Sequence, residues 1–579
     1  MPKESKFAIF CDLTSIRGVQ RIRRAQTPFI RIIWSIFVFL MTGALIITIG
    51  FLAKDFFSYT TAWNSRNLID DKTDFPAITI CAHNPFSLEA NRIWEKESIL
   101  TPSEFNRKLS AVVLAFVQSG NPDKATLLLH DTSETYFANL KPEESELLGH
   151  QANMFPHCML QSDGTNIMAE NCTIENDTGF IKQRFSHPKF FNCWTIETAP
   201  GKTSDDTSRL TLLLSLVPSK DINESRKNFV MDTFMRGEGV KVVVHQSGTY
   251  PEIDKDGINL QPGRMNELSY NTEYWVRLKT PKNPCVDNAP PITDMGRSYL
   301  YRFTQCLDSY LQNISINQCG CVNSEWPRPI NPSLVNTEIP YCSALLANTS
   351  DKSALTKMVD RYNCIYDLNV KVLKETAIKE RICIPHCSYY TYPISASIAS
   401  WNPIPEKLQL YTDKFKRVER LINNPNDQAE RERLIKYLKH VIKSEDGEHT
   451  KFNTTSTLQI EDFQNQAYYT YISLVRASKE TKYHEERLIF DIYILISRIG
   501  GLCSIFIGLT AAIFVELIEF IYVVYWQPRI DKVRENVRVE SHGDEQVLPL
   551  NKEHTDSIIQ SSNNNNNNNE NRNQKRCVV

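Results

Sequence analysis

The sequence predicts a membrane protein in which two transmembrane helices flank a large, disulfide-rich α+β extracellular domain. Three observations support this fold class: two apolar segments lie more than 400 residues apart, 12 of the 15 cysteines fall between them, and so do all six N-glycosylation sequons. The formal net charge of −2 shows no bias towards a nucleic-acid partner, so none is expected.

The first apolar segment, residues 32–53, contains 22 residues without an ionisable side chain. At about 1.5 Å per residue, a helix of this length crosses a hydrocarbon core of roughly 30 Å. A signal peptide is the alternative, but its apolar core has only about 7–15 residues and precedes a small-residue cleavage site. Here Phe51, Leu52, Phe56 and Phe57 follow instead. We therefore predict a first transmembrane helix over residues 29–53.

The second apolar segment, residues 492–526, is interrupted by Glu516 and Glu519. We predict a second transmembrane helix over residues 488–526, which leaves residues 54–487 as one very large loop. Lys and Arg outnumber acidic residues in the N-terminal tail, residues 1–28, and this excess predicts a cytoplasmic N-terminus. The C-terminal tail, residues 527–579, is then also cytoplasmic, and its asparagine run at 563–569 is typical of disorder.

Glycosylation and cysteine patterns place the large loop outside the cell. An even number of cysteines in this loop is typical of an oxidising compartment. Zinc is the alternative for Cys319 and Cys321, but their spacing is not that of a zinc knuckle, so no metal is expected. The sequons are at Asn171, Asn176, Asn223, Asn313, Asn348 and Asn453.

Local patterns predict the elements of the loop. Segments rich in β-branched, aromatic or aliphatic residues predict strands over 210–217, 240–245, 274–278 and 468–475. Amphipathic patterns predict helices over 104–117 and 413–442. The chain contains no nucleophile elbow, P-loop, HExxH pair or dinucleotide fingerprint, so we expect neither an enzyme nor a cofactor.

Five motifs, in order along the chain, resemble those of the degenerin/epithelial sodium channel superfamily. Residues 75–81, with Asn84, Pro85 and Phe86, match the motif that follows the first span in this family. The other four motifs are Asn192-Cys193-Trp194-Thr195, the segment from Gly239 to Gly263 with His245, the cysteine clusters ending at Cys387, and residues 500–516. This resemblance implies a trimeric, multi-pass sodium channel of the plasma membrane that is blocked by amiloride. It also implies six disulfides: Cys81–Cys193, Cys158–Cys172, Cys285–Cys387, Cys306–Cys383, Cys319–Cys364 and Cys321–Cys342.

The resemblance assigns a pore to the second span. Glu516 and Glu519 lie three residues apart, hence near one helix face, and a trimer would turn each into a carboxylate ring that attracts cations. The alternative is a pair of glutamates that snorkel at the cytoplasmic interface. Gly508, Leu509 and Thr510 stand where the family has its constriction, although Leu509 is bulkier than the family's small residue. The glycines could instead simply pack helices.

Three further residues, Gly18, Ser497 and Arg498, are candidate gating positions. Thr14 to Gly18 resembles the family's N-terminal gating box, with Arg17 in place of its histidine. A basic tail that meets anionic lipid is the alternative. Ser497 and Arg498 lie at the outer end of the second span, where three arginines would oppose cation entry. Either Arg498 pairs with a carboxylate such as Asp491, or the channel is a heterotrimer rather than a homotrimer.

Gating by an extracellular RFamide-type neuropeptide is the leading prediction, because the chain resembles invertebrate-type peptide-gated members. A cationic peptide would bind acidic and aromatic groups. The alternatives are a constitutively active channel and an acid-sensing channel with His83, His157 or His245 as proton sensor. A two-pass scavenger-type receptor or a purinergic channel would share the topology, but neither accounts for Glu516 and the motif at 75–81.

Overall fold

A computed structural model describes the chain over most of its length. It covers residues 14, 17–69, 73–87, 89–96, 99–130, 132–162, 165–170, 172, 180–198, 207–216, 239–329, 339–345, 352–401, 428, 431–432, 435–436, 469–508, 512–530 and 533. The chain divides into two compact units. The terminal unit contains Met1–Lys54 and Ile492–Val579, and the central unit contains Asp55–Asp491.

The predicted α+β character is present among the described residues. The helices are α1 (Arg17–Arg24), α2 (Pro28–Phe57), α3 (Ala90–Lys96), α4 (Pro102–Gln118), α5 (Pro122–His130), α6 (Thr132–Ala138), α7 (Pro142–Leu148), α8 (Ile253–Asp256), α9 (Phe303–Ile314), α10 (Lys352–Asp367), α11 (Val370–Lys379), α12 (Ile492–Ile507) and α13 (Ala512–Ile521). Short π-helical turns at Ser315–Cys319 and Tyr522–Trp526 extend α9 and α13, and a 3₁₀ turn covers Ala152–Met154.

The strands belong to the central unit. They are β1 (Thr61–Leu68), β2 (Ala77–Ala82), β3 (His157–Ser162), β4 (Thr165–Glu170), β5 (Phe180–His187), β6 (Phe191–Thr198), β7 (Thr207–Ser215), β8 (Val240–His245), β9 (Ile258–Leu260), β10 (Arg264–Val276), β11 (Ile292–Asp294), β12 (Arg297–Tyr299), β13 (Ser388–Thr391), β14 (Ile394–Ser400) and β15 (Tyr469–Leu488).

Two sheets organise the central unit. The larger has the order β13-β10-β15-β7-β3-β4, with β1 paired to β15 and β14 paired to β10; the smaller has the order β5-β6-β2-β8-β9. β10 and β15 run parallel, whereas the other pairs are antiparallel. Ile78 and Val242 of the smaller sheet pack in one core with Leu212, Leu268 and Leu474 of the larger sheet. Burial of these side chains holds the sheets together.

A second core lies among the helices α3–α7 and α10. Apolar residues spaced three or four apart put Phe105, Leu109, Val112 and Phe116 on one buried face of α4. Thr101 caps this helix, because its hydroxyl accepts a hydrogen bond from the backbone N–H of Glu104 at 3.3 Å. The predicted helix over 104–117 is therefore confirmed.

Long-range covalent links brace this architecture. The structure forms the same six disulfide pairs that the family resemblance implies: Cys81–Cys193, Cys158–Cys172, Cys285–Cys387, Cys306–Cys383, Cys319–Cys364 and Cys321–Cys342. Cys81 and Cys193 face each other across the β2–β6 pair and are fully buried. Each disulfide limits the conformations of the unfolded chain, so together they stabilise a unit whose sheets contain many long-range pairs.

The sequence predictions differ from the structure in detail. The strand over 240–245 coincides with β8, and the strands over 210–217 and 468–475 overlap β7 and β15. The strand over 274–278 is wrong in its bounds, since β10 starts at Arg264 and ends at Val276. The predicted helix over 413–442 and the C-terminal tail fall almost entirely outside the described residues.

Candidate functional site

The first predicted span forms helix α2, Pro28–Phe57, which is longer than the 29–53 predicted. Among the described residues it is the single unbroken helix that is long and apolar enough to cross a membrane. Large side chains such as Phe39 and Phe29 are more than two thirds exposed. Such apolar exposure is typical of a helix that contacts lipid or other transmembrane helices.

The second predicted span is a broken helix rather than a straight one. Helix α12 and the helical stretch Ala512–Ile530 together meet the criteria for a span, but they are bent by 69° at a short break. Gly508 ends α12: its N–H donates to the carbonyl of Ser504 at 3.0 Å, and its φ of 72° lies in the left-handed region. Glycine adopts this region without the steric penalty that a Cβ would bring, so its position explains where the helix ends.

One of the predicted constriction residues lies at this break. Gly508 is its first residue, whereas Leu509 and Thr510 lie outside the described residues. Glu516 and Glu519 follow on α13, where Glu516 is half-buried and Glu519 is exposed. Their spacing puts both carboxylates near one face of the helix, as the sequence predicts.

The outer candidate positions, Ser497 and Arg498, are exposed on α12. Both precede the pair Gly500 and Gly501, where an added Cβ would meet no atom within 4 Å. This side of α12 therefore has open space around it in the single chain.

The N-terminal candidate Gly18 lies in α1 and packs directly against α2. A Cβ added at Gly18 would overlap the Cγ2 atom of Val38. With Val38 opposite, position 18 has room for a glycine but not for a side chain unless Val38 shifts. Gln20 of the same helix contacts Thr14, because its side-chain amide donates to the carbonyl of Thr14 at 2.6 Å.

A cavity of about 410 Å³ connects Gly18 with the break in the second span. It is lined by Gly18, by residues of α2 around Val38, and by residues 504–508 at the end of α12. The sequence did not predict that residues of α2 line this cavity. The structure thus brings together the proposed gating residue of the N-terminal tail and Gly508, the first residue of the proposed constriction.

The strands that adjoin the two spans in the chain pair with each other. β1 follows α2, β15 precedes α12, and they run antiparallel from Thr61 opposite Leu488 to Leu68 opposite Thr481. The N–H of Ile489 also donates to the carbonyl of Thr60 at 3.0 Å. A displacement of either strand is therefore transmitted to the other through backbone hydrogen bonds.

His245, one of the predicted proton sensors, does not suit that role. Its Nε2 atom lies 2.8 Å from the hydroxyl of Thr79 and its Nδ1 atom 3.1 Å from that of Thr249. Burial lowers the pKa of His245 to about 3, because the buried ring loses the hydration of its charged form. Burial thus favours a neutral ring near physiological pH, which argues against His245 as the proton sensor.

One glycosylation sequon can be placed. Asn313 is exposed near the end of α9, whereas Asn171, Asn176, Asn223, Asn348 and Asn453 lie outside the described residues.

No group of His, Cys, Asp and Glu suited to a metal ion occurs within the described part of the chain.

Comparison with known proteins gives a consistent result. The family model described as amiloride-sensitive sodium channel matches residues 10–520. Epithelial sodium channel subunit gamma of Pan troglodytes is 21% identical over 416 residues, which are 68% of this chain and 65% of that protein. Degenerin-like protein asic-2 of Caenorhabditis elegans is 23% identical over 414 residues, 68% of this chain and 69% of that protein.

A third relative carries a ligand in its name. The FMRFamide-activated amiloride-sensitive sodium channel of Cornu aspersum is 21% identical over 322 residues, which are 54% of this chain and 47% of that protein. The chain thus spans slightly less than two thirds of the gamma subunit and about half of the snail channel.

Proposed function

Because the chain belongs to the amiloride-sensitive sodium channel family, we propose that it is a subunit of a sodium channel opened by an extracellular peptide. Members of this family are plasma-membrane ion channels, not enzymes. The proposed topology has two spans, both termini in the cytoplasm, and the disulfide-rich central unit outside the cell. Three copies, identical or related, surround one pore.

The observation that carries the proposed conduction path is the break at Gly508, followed on α13 by Glu516 and Glu519. A helix that ends within a span turns backbone carbonyls away from their helical partners, so they need water, an ion or another chain. Carboxylates within a span are costly to expose to lipid and favour a water-filled path. In the trimer, the carboxylates form rings that concentrate sodium and repel anions.

The proposed gate involves α1. Gly18 packs against Val38, and both line the cavity that reaches Gly508. Movement of α1 would change the space beside the break and thereby the width of the conduction path. The extracellular signal reaches the spans through β1 and β15, which adjoin α2 and α12 in the chain.

Peptide gating is supported by the relative from Cornu aspersum, whose name describes activation by FMRFamide. The neutral state of His245 removes one reason to prefer acid gating. Constitutive activity and proton gating elsewhere in the central unit are the competing functions, and a current recording distinguishes all three.

The test expresses the chain alone in oocytes under voltage clamp, with amidated RF-type peptides and then acid pulses applied. We expect a peptide-evoked inward sodium current that amiloride blocks. An acid-evoked current would show that protons, rather than a peptide, open the channel. An amiloride-sensitive current without any stimulus would show constitutive activity. If the protein reaches the surface and none of these currents occurs, the homomeric peptide-gated channel is contradicted.

The pore role of Glu516 is tested by Glu516→Gln. We expect a lower single-channel sodium conductance, because neutralisation removes the carboxylate ring that concentrates cations. Glu89→Gln is the matched control, since this exposed carboxylate of the central unit pairs with the neighbouring Arg92 at 2.7 Å. Equal conductance in both variants would contradict the pore role of Glu516.

A further inference from the structure

The glycosylation sequon at Asn313 lies in helical backbone rather than in a loop. Asn313 and Ile314 are the last two residues of α9, and Ser315, the hydroxyl residue of the sequon, begins the π-helical turn that follows. Ile314 and Ser315 both have right-handed helical backbone angles, with φ of −65° and −57°. Residues two positions apart in a helix point to different sides, so the Asn313 amide and the Ser315 hydroxyl do not face the same way.

The two polar side chains of the sequon differ in exposure. Asn313 is exposed, whereas Ser315 is fully buried. The Ser315 hydroxyl donates to the carbonyl of Cys321 at 2.9 Å. It also lies 3.4 Å from the Sγ atom of Cys342 and 3.8 Å from that of Cys321, and these two sulfurs form one disulfide. The Cys321–Cys342 disulfide therefore packs directly against the hydroxyl that completes the sequon.

Further contacts hold this end of α9 in place. The side chain of Gln312 is also fully buried and forms two hydrogen bonds with the backbone of Asn323. Its amide donates to the carbonyl at 2.8 Å, and its oxygen accepts from the N–H at 2.9 Å. Bringing Ser315 to the surface pulls the end of α9 away from residues 321–323 and breaks these hydrogen bonds. Exposure of the complete sequon therefore requires local unfolding.

Glycosyl transfer to this site needs both side chains at once. The reaction forms a bond between Nδ2 of Asn313 and the first sugar of a lipid-pyrophosphate-linked oligosaccharide; the lipid pyrophosphate leaves, and the amide loses a proton. The Ser or Thr hydroxyl is part of what the transferase recognises, and acceptor sequons accordingly lie in surface loops. In the folded chain, the enzyme can reach the amide of Asn313 but not the hydroxyl of Ser315.

The order of residues in the chain leaves an interval for this transfer. Ser315 precedes Cys321 by 6 residues and Cys342 by 27. Because the chain is made from its N-terminus, the complete sequon enters the oxidising compartment before Cys342 does, when the disulfide cannot yet form. Closing the disulfide later oxidises both thiols by exchange with a disulfide of that compartment, which is reduced in turn. A glycan attached in this interval is compatible with the fold, since Asn313 is exposed.

We propose that Asn313 is an N-glycosylation site that is open only until the Cys321–Cys342 disulfide closes, and that the folded chain cannot be modified there. The extracellular position of the central unit, which this requires, belongs to the proposed function, whereas the gating stimulus plays no part. Glycan occupancy at Asn313 is then fixed during biosynthesis by competition between glycosyl transfer and disulfide closure. Slower closure raises the occupancy, and faster closure lowers it.

The closed state of the sequon is tested on the full-length chain, produced while glycosylation is inhibited and purified with its disulfides intact. Oligosaccharyltransferase and a lipid-linked oligosaccharide are added, and glycopeptide mass spectrometry follows Asn313 over time. The intact chain should be modified at least about tenfold more slowly than the reduced, unfolded chain, because the buried hydrogen bonds of Ser315 and Gln312 must open first. An acceptor peptide in the same reaction shows that the enzyme is active. Equal rates overturn the proposal, and so does absence of transfer to the reduced chain.

The role of this particular disulfide is tested in cells. Glycosylation is inhibited during synthesis and restored after the chain has folded. Cys321→Ser/Cys342→Ser should then acquire a glycan at Asn313, whereas the wild type should remain unmodified there. The matched control, Cys285→Ser/Cys387→Ser, removes the disulfide at the start of β13 instead and should behave like the wild type.

The remaining outcomes of the cell experiment separate the proposal from the proposed function. Equal modification of Asn313 in the wild type and in Cys321→Ser/Cys342→Ser overturns the control by this disulfide, and so does equal modification in the two double variants. Cells in which glycosylation is never inhibited test the location of the central unit. Absence of a glycan from every sequon there contradicts the extracellular position, and the reaction with the purified chain then decides the closed state of the sequon alone.

Discussion

Arg328 binds the carboxylate of Asp294 through two side-chain hydrogen bonds, from Nε to Oδ1 at 2.8 Å and from Nη2 to Oδ2 at 3.0 Å. The two side chains are only 1% and 4% exposed. The same guanidinium donates to the carbonyl of Ser186 at 3.0 Å and so joins β11 to β5. This buried pair connects β5 of the smaller sheet with the segment between Cys321 and Cys342, to which Arg328 belongs.

Removing Arg328 should destabilise the central unit strongly. Arg328→Met leaves the carboxylate of Asp294 buried without its partner, which typically costs about 3–5 kcal/mol. Thermal unfolding of the purified chain and the amount at the cell surface measure this loss. Arg92→Met is the matched control, because its pair with Glu89 is largely exposed and contributes little. Equal stability of the two variants would show that the buried pair is unimportant.

The close approach of α1 and α2 should be essential for gating. Gly18→Ala places a methyl group into Val38 and should reduce the current without reducing surface expression. The double variant Gly18→Ala/Val38→Ala removes the overlapping Cγ2 atom and should restore much of the current. Voltage-clamp recordings with surface labelling check both. The packing explanation does not hold if the double variant is as inactive as the single one.

The Cys81–Cys193 disulfide should contribute substantially to folding. It closes a loop with a sequence separation of 112 residues and is fully buried between β2 and β6. Cys193→Ser should therefore cost about 2–5 kcal/mol and lower the surface amount. Cys503→Ser serves as control, since Cys503 forms no disulfide in the described part of the chain. Unfolding temperatures measured with and without reductant test the prediction. It is contradicted if Cys193→Ser and Cys503→Ser have the same unfolding temperature.

Acid should destabilise the central unit through its buried neutral histidines. Burial lowers the pKa of His150 to about 4 and of His245 to about 3, whereas in the unfolded chain histidine titrates at about 6.5. The unfolded state binds these protons first, so the stability is fully present above pH 6.5 and is lost as pH falls towards the folded-state pKa values. Unfolding temperatures between pH 7.5 and pH 4.5 measure this slope.

A variant separates this effect from general acid denaturation. His245→Gln retains a polar side chain opposite Thr79 but cannot titrate. Its unfolding temperature should be lower than that of the wild type at pH 7.5 and should fall less steeply with acid. An unchanged slope would show that His245 does not contribute to the pH dependence.

Several features of the fold were predictable because they depend on local patterns. The 22-residue uncharged segment predicted α2, and the aliphatic run at 240–245 predicted β8 within its observed bounds. The motifs from Phe75 to Glu516 predicted the family, which the match over residues 10–520 confirms. The pairing of the cysteines depended on the family resemblance, since spacing alone leaves many pairings open.

The candidate site was predictable only in part. Gly508, Glu516 and Gly18 stand out by residue type and position, but no local pattern indicates that α12 ends at Gly508 with a 69° bend to the next helix. A continuous apolar run is compatible with both a straight and a broken helix. For His245, the sequence showed a titratable side chain and could not show its burial, which decides its pKa.

By itself, the sequence determined the two apolar segments, the disulfide-rich region between them and the family to which the chain belongs. Each of these depends on composition, on periodicity or on motifs of a few residues. The tertiary structure alone decided that Gly18 lies against Val38 near Gly508, and that the Ser315 hydroxyl is buried against Cys321 and Cys342. These contacts join residues far apart in the chain, so they depend on strand register and helix packing, which local propensities do not specify.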